Sequence, residues 1–227
     1  ELALDIVAAV VAACAPQGVP VTLKMRTGWS ATQRNALRIA RGAGQRGVAM
    51  VVVHGRTREQ GYKGQAEYDT VAAVKAALRI PVVANGDIDT PQKARDVLRA
   101  TGADGVMIGR AAQGRPWLFR EIDHFLRTGV HLAAPDVLQV KAWLLEHLSD
   151  HYGLYGELAG TRSARKHIGW TVRELPGGEG FRSRLNLLDD CADQVRAVSD
   201  WFDELALEHR TLPQAAAAND AWLEQAA

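Results

Sequence analysis

Cysteine is nearly missing from this 227-residue chain. Cys14 and Cys191 are the whole complement, too few for a disulfide framework or a four-ligand zinc site, so no metal is expected. Net charge is equally scant: 27 Lys and Arg stand against 26 Asp and Glu. That balance excludes a uniformly basic nucleic-acid coat but leaves room for a local basic patch. No long hydrophobic run is present either. The longest, Ile6 to Ala15, has ten residues, about half of the ~20 that a membrane-spanning helix needs. Glu1 and Asp5 replace the basic leader of a secretory signal, so this run reads as a helix over an internal core and the expected address is cytoplasmic. With 47% hydrophobic and 23% charged residues, the chain is neither disordered nor fibrous. It begins with Glu rather than Met and is expected to belong to a longer protein.

Four short runs rich in Val, Ile and Met read as buried parallel strands: Val19 to Met25, Val48 to His54, Ile80 to Asn85 and Asp104 to Ile108. Helical patterns separate them over Thr32 to Arg46, Tyr68 to Leu78 and Pro91 to Ala100, the last with Thr90 as cap and Pro91 at the first helical position. This βα rhythm fits a parallel α/β fold, either an open doubly wound sheet or part of a (β/α)₈ barrel. Each strand ends in a polar or glycine signature: Lys24-Met25-Arg26, His54-Gly55-Arg56-Thr57, Asn85-Gly86-Asp87 and Gly109-Arg110. Ligand residues at every strand end favour the barrel, since open sheets gather them at one switch point. Four βα units are half of eight, so the expected fold is the C-terminal half of a TIM barrel over residues 1–127.

Beyond Arg120 no strand pattern recurs. Thr128 to Pro135 reads as a linker, followed by helices over Asp136 to Tyr152, Leu158 to Leu175 and Phe181 to Leu207. A helical bundle domain is expected over 136–208, with 209–227 as a tail ending in a marginal Ala-rich helix. Both cysteines read as packing residues, Cys14 on the apolar first helix and Cys191 on a core-facing stripe.

Gly86 and Gly109 let backbone N–H groups approach an anion closely, and Arg110 adds a fixed charge, as a phosphate site would need; tight βα turns alone would also use both glycines. Lys24, at a strand end, could hold negative charge on a bound ring, act as a nucleophile, or sit in a rim salt bridge. His54 could donate to a phosphate or ring carbonyl, or move protons near neutral pH. Asp87 is acidic beside a proposed phosphate and reads better as orienting its loop. Farther on, Tyr155 to Leu185 holds six basic residues against three acidic ones, while Asn186 to Glu208 holds seven acidic residues against Arg196 alone. Arg162, Arg165, Lys166 and Arg173 fall largely on one helix face beside His167 and Trp170, a pattern that could grip phosphates and stack a base or simply be a solvated face.

The ordered set Val21-Thr22-Leu23-Lys24-Met25-Arg26-Thr27-Gly28-Trp29, His54-Gly55-Arg56-Thr57, Pro81 to Ile88 and Gly105 to Ala111 resembles the tRNA-dihydrouridine synthases. Arg165-Lys166-His167-Ile168-Gly169-Trp170, followed by Pro176-Gly177 and Phe181-Arg182, is similar to the helical domain of the bacterial B-type branch. The resemblance implies an FMN enzyme that reduces the C5=C6 bond of uridine in tRNA with NADPH or NADH as reductant, working as a monomer. It implies that Lys24 faces the flavin ring, that His54 lies beside it, and that Asn85, Gly86, Asp87, Gly109 and Arg110 cradle the ribityl phosphate. Arg162, Arg165, Lys166, His167 and Trp170 would hold tRNA while the base is flipped toward the flavin. Two departures stand out. The family's proton-donating cysteine, in an Asn-x-Gly-Cys-Pro loop, would lie upstream of Glu1, and neither Cys14 nor Cys191 matches it. Thr171 stands where the family usually has an aromatic residue. The alternatives are another FMN barrel of the dihydroorotate dehydrogenase kind and a non-catalytic RNA-binding protein.

Overall fold

The computed structural model describes residues 1–212 in two compact units. The first comprises Glu1–Ala112 and Trp117–His131; the second comprises Gln113–Pro116 and the chain from Leu132. Among the described residues, no helix is long and apolar enough to cross a membrane.

In the first unit, β1 (Thr22–Arg26), β2 (Met50–His54), β3 (Val82–Asn85) and β4 (Gly105–Met107) form one parallel sheet in the order β1-β2-β3-β4. Each strand pairs with the next in sequence, without the order reversal of a doubly wound sheet, which is the order along an arc of a (β/α)₈ barrel. The connections are α2 (Ala36–Gln45), α3 (Asp69–Ala77) and α4 (Pro91–Thr101), while α1 (Leu2–Cys14) precedes β1. Pro91 opens α4 where its missing N–H costs nothing, and Thr90 accepts from Lys93 N–H. Strand pleating sends Val51, Val53, Val82 and Ala84 into a core shared with Ala40, Val71, Val74 and Val97 of the helices. Lys24, Arg26, Val52, His54, Val83 and Asn85 alternate onto the opposite face.

The structure adds a helix that the sequence reading left out. α5 (Leu118–Thr128) buries Leu118, Ile122 and Phe125 against the first unit and ends at Gly129 in the left-handed conformation. The first unit therefore continues through His131, past the expected start of the linker at Thr128.

The second unit holds α6 (Val137–Val172), α7 (Gly178–Leu185) and α8 (Cys191–Glu208). Inside α6, Gly156 has φ 73° and ψ 170°, so two helical halves meet there, matching the two helices expected on either side. Val140, Leu144, Leu148, Ala164, Ile168, Val198 and Phe202 fill the core, and Trp201 stacks on Phe181 at 4.9 Å. Gln194 is fully buried with its amide satisfied by Tyr152 Oη (2.9 Å), Thr161 O (3.2 Å) and Leu188 O (3.3 Å).

Three expectations are corrected here. The stretch Phe181 to Leu207 is two helices, because the chain turns at Asn186–Asp190 and Asp190 caps α8 through Asp193 N–H. Cys191 is the first residue of α8 and heads its buried face rather than lying inside it, half-buried with its thiol 2.9 Å from Thr161 Oγ1. Residues 209–212 are no free tail: Val137 N–H donates to Arg210 O and Leu212 N–H to Pro135 O. The expected Ala-rich end lies outside the described residues.

Candidate functional site

The strand register gathers the first set of candidates. Arg26 of β1 lies beside His54 of β2, His54 beside Asn85 of β3, and Asn85 beside Met107 of β4, with Lys24 two residues down the same face of β1. Asn85 donates from Nδ2 to Met107 O at 2.8 Å, fixing its amide across the strand ends. Lys24 is exposed as a residue, but its ammonium is partly desolvated, and that first, then the charge of Arg26, lowers its pKa. His54 is buried; desolvation first, then Arg26, Lys24 and Arg56, drive its pKa down to about 4 despite Asp87 pulling the other way. At neutral pH His54 is an uncharged imidazole among cations.

Gly86, at φ 119°, packs so closely on His54 that an added Cβ would lie 2.9 Å from its ring. Gly109 differs: a Cβ there would meet nothing within 4 Å, so neither packing nor backbone conformation demands a glycine. What the missing side chain does leave is open space beside Arg110. That arginine is 59% exposed, 3.6 Å from Asp87, and its guanidinium lies over the Tyr62 ring at 4.8 Å.

Asp87 adopts φ 48°, a left-handed conformation that Asp tolerates better than most residues. Its carboxylate accepts from Arg56 at 2.8 and 2.7 Å and from Ala66 N–H at 2.8 Å. Burial raises its pKa, but the Arg56 and Ala66 hydrogen bonds and the charges of Arg56 and Arg110 outweigh that, so it lies below the ordinary carboxylate value. Arg56, 3% exposed, also donates to Lys63 O and Gly64 O and so ties loop 55–68 to loop 86–90. Arg26 reaches the same loop at Thr57 O and Gly61 O, both 2.8 Å. Arg56, Arg26 and Tyr62 were not among the sequence candidates; the arginines at and just past the strand ends were the signal for the first two, and Tyr62, inside loop 55–68, carried none.

The second unit holds a separate feature. Arg165, Lys166, Gly169, Trp170 and Arg173 of α6 and its C-cap, with Glu179 and Arg182 of α7, line an open groove of about 340 Å³. Lys166 Nζ sits over the Trp170 ring at 5.2 Å. Arg165 donates to Leu188 O (2.9 Å) and Asp189 (2.6 Å), bracing the turn before α8, while its buried Nε has no hydrogen-bond partner among the described residues. Arg162 is exposed on the same helix but outside this lining, and His167, also outside it, meets Trp170 edge-on at 5.2 Å and faces His147 and His151.

With both features in view, comparison with known proteins decides the family. The profile of the family described as Dihydrouridine synthase (Dus) matches residues 1–207. The chain belongs to that family. It falls in the bacterial B-type branch: it is 55% identical to tRNA-dihydrouridine synthase B of Pseudomonas putida over 186 residues, covering 82% of this chain and 55% of that protein. The same-named protein of Pseudomonas syringae pv. tomato is 53% identical over 204 residues (90% of this chain, 60% of that one). That of Vibrio cholerae is 48% identical over 202 residues (89% and 62%). The chain thus spans little more than half the length of these relatives. Among solved structures, a nitroalkane oxidase from Streptomyces ansochromogenes aligns over 46% of this chain and 30% of its own at TM-score 0.35 and 25% identity, too slight a likeness to argue from.

Proposed function

We propose that this chain is the portion of a tRNA-dihydrouridine synthase that holds the phosphate end of FMN and part of the tRNA. Membership of the dihydrouridine synthase family over residues 1–207, with B-type relatives up to 55% identical, is the observation that carries this reading. Bound FMN would supply hydride for the C5=C6 bond of uridine, with NADPH recharging it. The residues of the first unit suit such a group. Lys24, Arg26 and Arg110 present positive charge on one side of the sheet, and the open space at Gly109 is where a side chain would stand in the way of a phosphate. In this reading Arg110 bonds the phosphate oxygens, while Asp87, already committed to Arg56, holds the loop in shape. Lys24 stabilises negative charge on the ring, and neutral His54 donates one hydrogen bond without adding charge.

In the second unit the groove of Arg165, Lys166, Trp170, Arg173 and Arg182 is the candidate tRNA contact. Lys166, Arg173 and Arg182 offer the charge there and Trp170 a stacking face, while Arg165, tied to Leu188 O and Asp189, holds the turn before α8 in place. Arg162 extends the basic face, and His167 does not line it. In this reading neither Cys14, on α1, nor Cys191, on α8, is the group that protonates uridine C5. The test is complementation. A bacterial strain without its B-type synthase would receive this sequence joined to the remaining length of a relative, and its tRNA would be digested and weighed. Uridine gaining two hydrogens is expected at the positions lost in the host; tRNA that stays unmodified despite soluble, flavin-loaded protein overturns the reading. A dihydroorotate-dehydrogenase-like barrel would show no salt-dependent tRNA affinity.

A further inference from the structure

Beside the groove but not lining it, α6 brings three imidazoles together. His147 and His151 stand one turn apart on its first half, and His167 comes from the half beyond Gly156. One ligand nitrogen of each lies within 4.8 Å of the other two. Ring centroids are 5.0 Å apart for His147 and His167, 5.1 Å for His151 and His167, and 6.0 Å for His147 and His151. His151 is buried, His167 half-buried and His147 exposed.

Hydrogen bonding decides which nitrogen of His151 is available. Ser163 Oγ donates to Ala159 O at 2.7 Å and so spends its single proton. The Nε2–H tautomer of His151 satisfies that oxygen by donating to it at 2.7 Å, and in that tautomer Nδ1 keeps its lone pair. Orientation of a ligating imidazole through its other nitrogen is how proteins build metal sites. Burial, then the neighbouring His147, lowers the pKa of His151; burial, then His147, His151 and Lys166, lowers that of His167. Unprotonated imidazoles are the form that binds metal.

We propose that His147, His151 and His167 bind a divalent transition-metal ion, zinc first among them, which staples the two halves of α6 across Gly156. An all-imidazole set suits Zn²⁺, Ni²⁺ or Cu²⁺ and not Mg²⁺ or Ca²⁺, which take oxygen ligands. Zinc–nitrogen bonds of about 2.0–2.1 Å bring ligand nitrogens nearer than 4.8 Å, and the exposed His147 is the side chain free to swing inward. Water fills the fourth position on that open side. The site is structural, departs from the expectation of no metal, and assigns His167 to the ion in place of RNA. It does not rest on the tRNA reading, because its test uses neither tRNA nor flavin.

The experiment takes the full chain, stripped with a chelator, and titrates it with Zn²⁺ by calorimetry, with Co²⁺ as a visible-absorption probe of coordination. One equivalent is expected to bind, and Zn²⁺ at a hundredfold excess over Kd should raise the thermal midpoint by roughly 5–10 °C. His147→Gln, at an exposed position, should leave the chelated midpoint unchanged, weaken Zn²⁺ at least tenfold and abolish the tetrahedral Co²⁺ spectrum. His167→Gln should do the same to the metal. Failure of the parent chain to bind one equivalent overturns the site. So does undiminished affinity in both variants, since the ion would then lie elsewhere.

Discussion

A guanidinium buried to 3% exposure is tolerable only if its N–H groups find acceptors, and Arg56 finds four: both oxygens of Asp87, Lys63 O and Gly64 O. Arg56→Ala leaves the half-buried Asp87 carboxylate without its main partner and two loops untied. The expected cost is about 2–3 kcal/mol, or roughly 5–10 °C in the midpoint for a chain of this size, by calorimetry of the purified protein. Arg56→Lys should recover little of it, since an ammonium cannot match the fork. His54 carries a pH dependence of definite sign. Its pKa is near 6.5 unfolded and about 4 folded, so between those values the unfolded chain binds the extra proton. Stability is therefore full above about pH 6.5 and falls as the pH drops toward 4. His151 and His167 shift the same way, and Asp87 matters only below its ordinary value of 3.8. The readout is thus the difference between parent and His54→Gln: urea midpoints measured from pH 7 to 4.5 should fall less steeply in the variant, and parallel curves would refute the assignment.

Among the elements, α6 depends on one residue. Gly156 sits at φ 73° and ψ 170°, a region essentially closed to residues with a Cβ, so Gly156→Ala should cost on the order of 1–3 kcal/mol. Gly153, three residues earlier, has ordinary helical geometry and open space around it, and Gly153→Ala should stabilise by about 1 kcal/mol. Opposite signs in paired urea melts are the expected result. The two helices expected on either side of residues 153–157 bracket this break, and β2, β3 and α4 fall within a few residues of their expected places, because Val-rich runs and the Thr90-Pro91 pair dictate local geometry directly. α5 went unread although Leu118, Ile122 and Phe125 repeat at helical spacing, because the end of the βα rhythm drew the boundary too early. The α7–α8 turn was hidden for another reason. Leu187 and Leu188 prolong the apolar stripe through a segment that is not helical, and only the Asp190 cap marks the new start.

At the scale of the whole molecule, the candidate sites were legible in residue type and less so in partnership. His54 and Asn85 could be named because they end strands, and Lys24 and Arg110 because they lie close to a strand end, Lys24 two residues inside β1 and Arg110 three beyond β4, whereas the commitment of Asp87 to Arg56 and of Arg165 to Leu188 and Asp189 depends on loops meeting far apart in sequence. The histidine cluster was invisible for the same reason, with His147 and His167 joined only through the reversal at Gly156. Division into two units carries the last prediction. Arg110 contacts Asp87 and Tyr62 in the first unit, and Lys166 contacts Trp170 in the second, so their partners do not overlap. In the full-length enzyme Arg110→Ala should weaken FMN retention roughly tenfold, the worth of a charge-assisted hydrogen bond, while tRNA affinity measured in the absence of flavin stays unchanged. Lys166→Ala should leave flavin content intact, weaken tRNA binding and lower its salt slope by about 1. Combining the two should give the sum of the separate effects to within about 0.5 kcal/mol, because neither substitution disturbs the other's partners. Flavin lost from Lys166→Ala, or an unchanged salt slope, would show that binding is not divided between the units in this way.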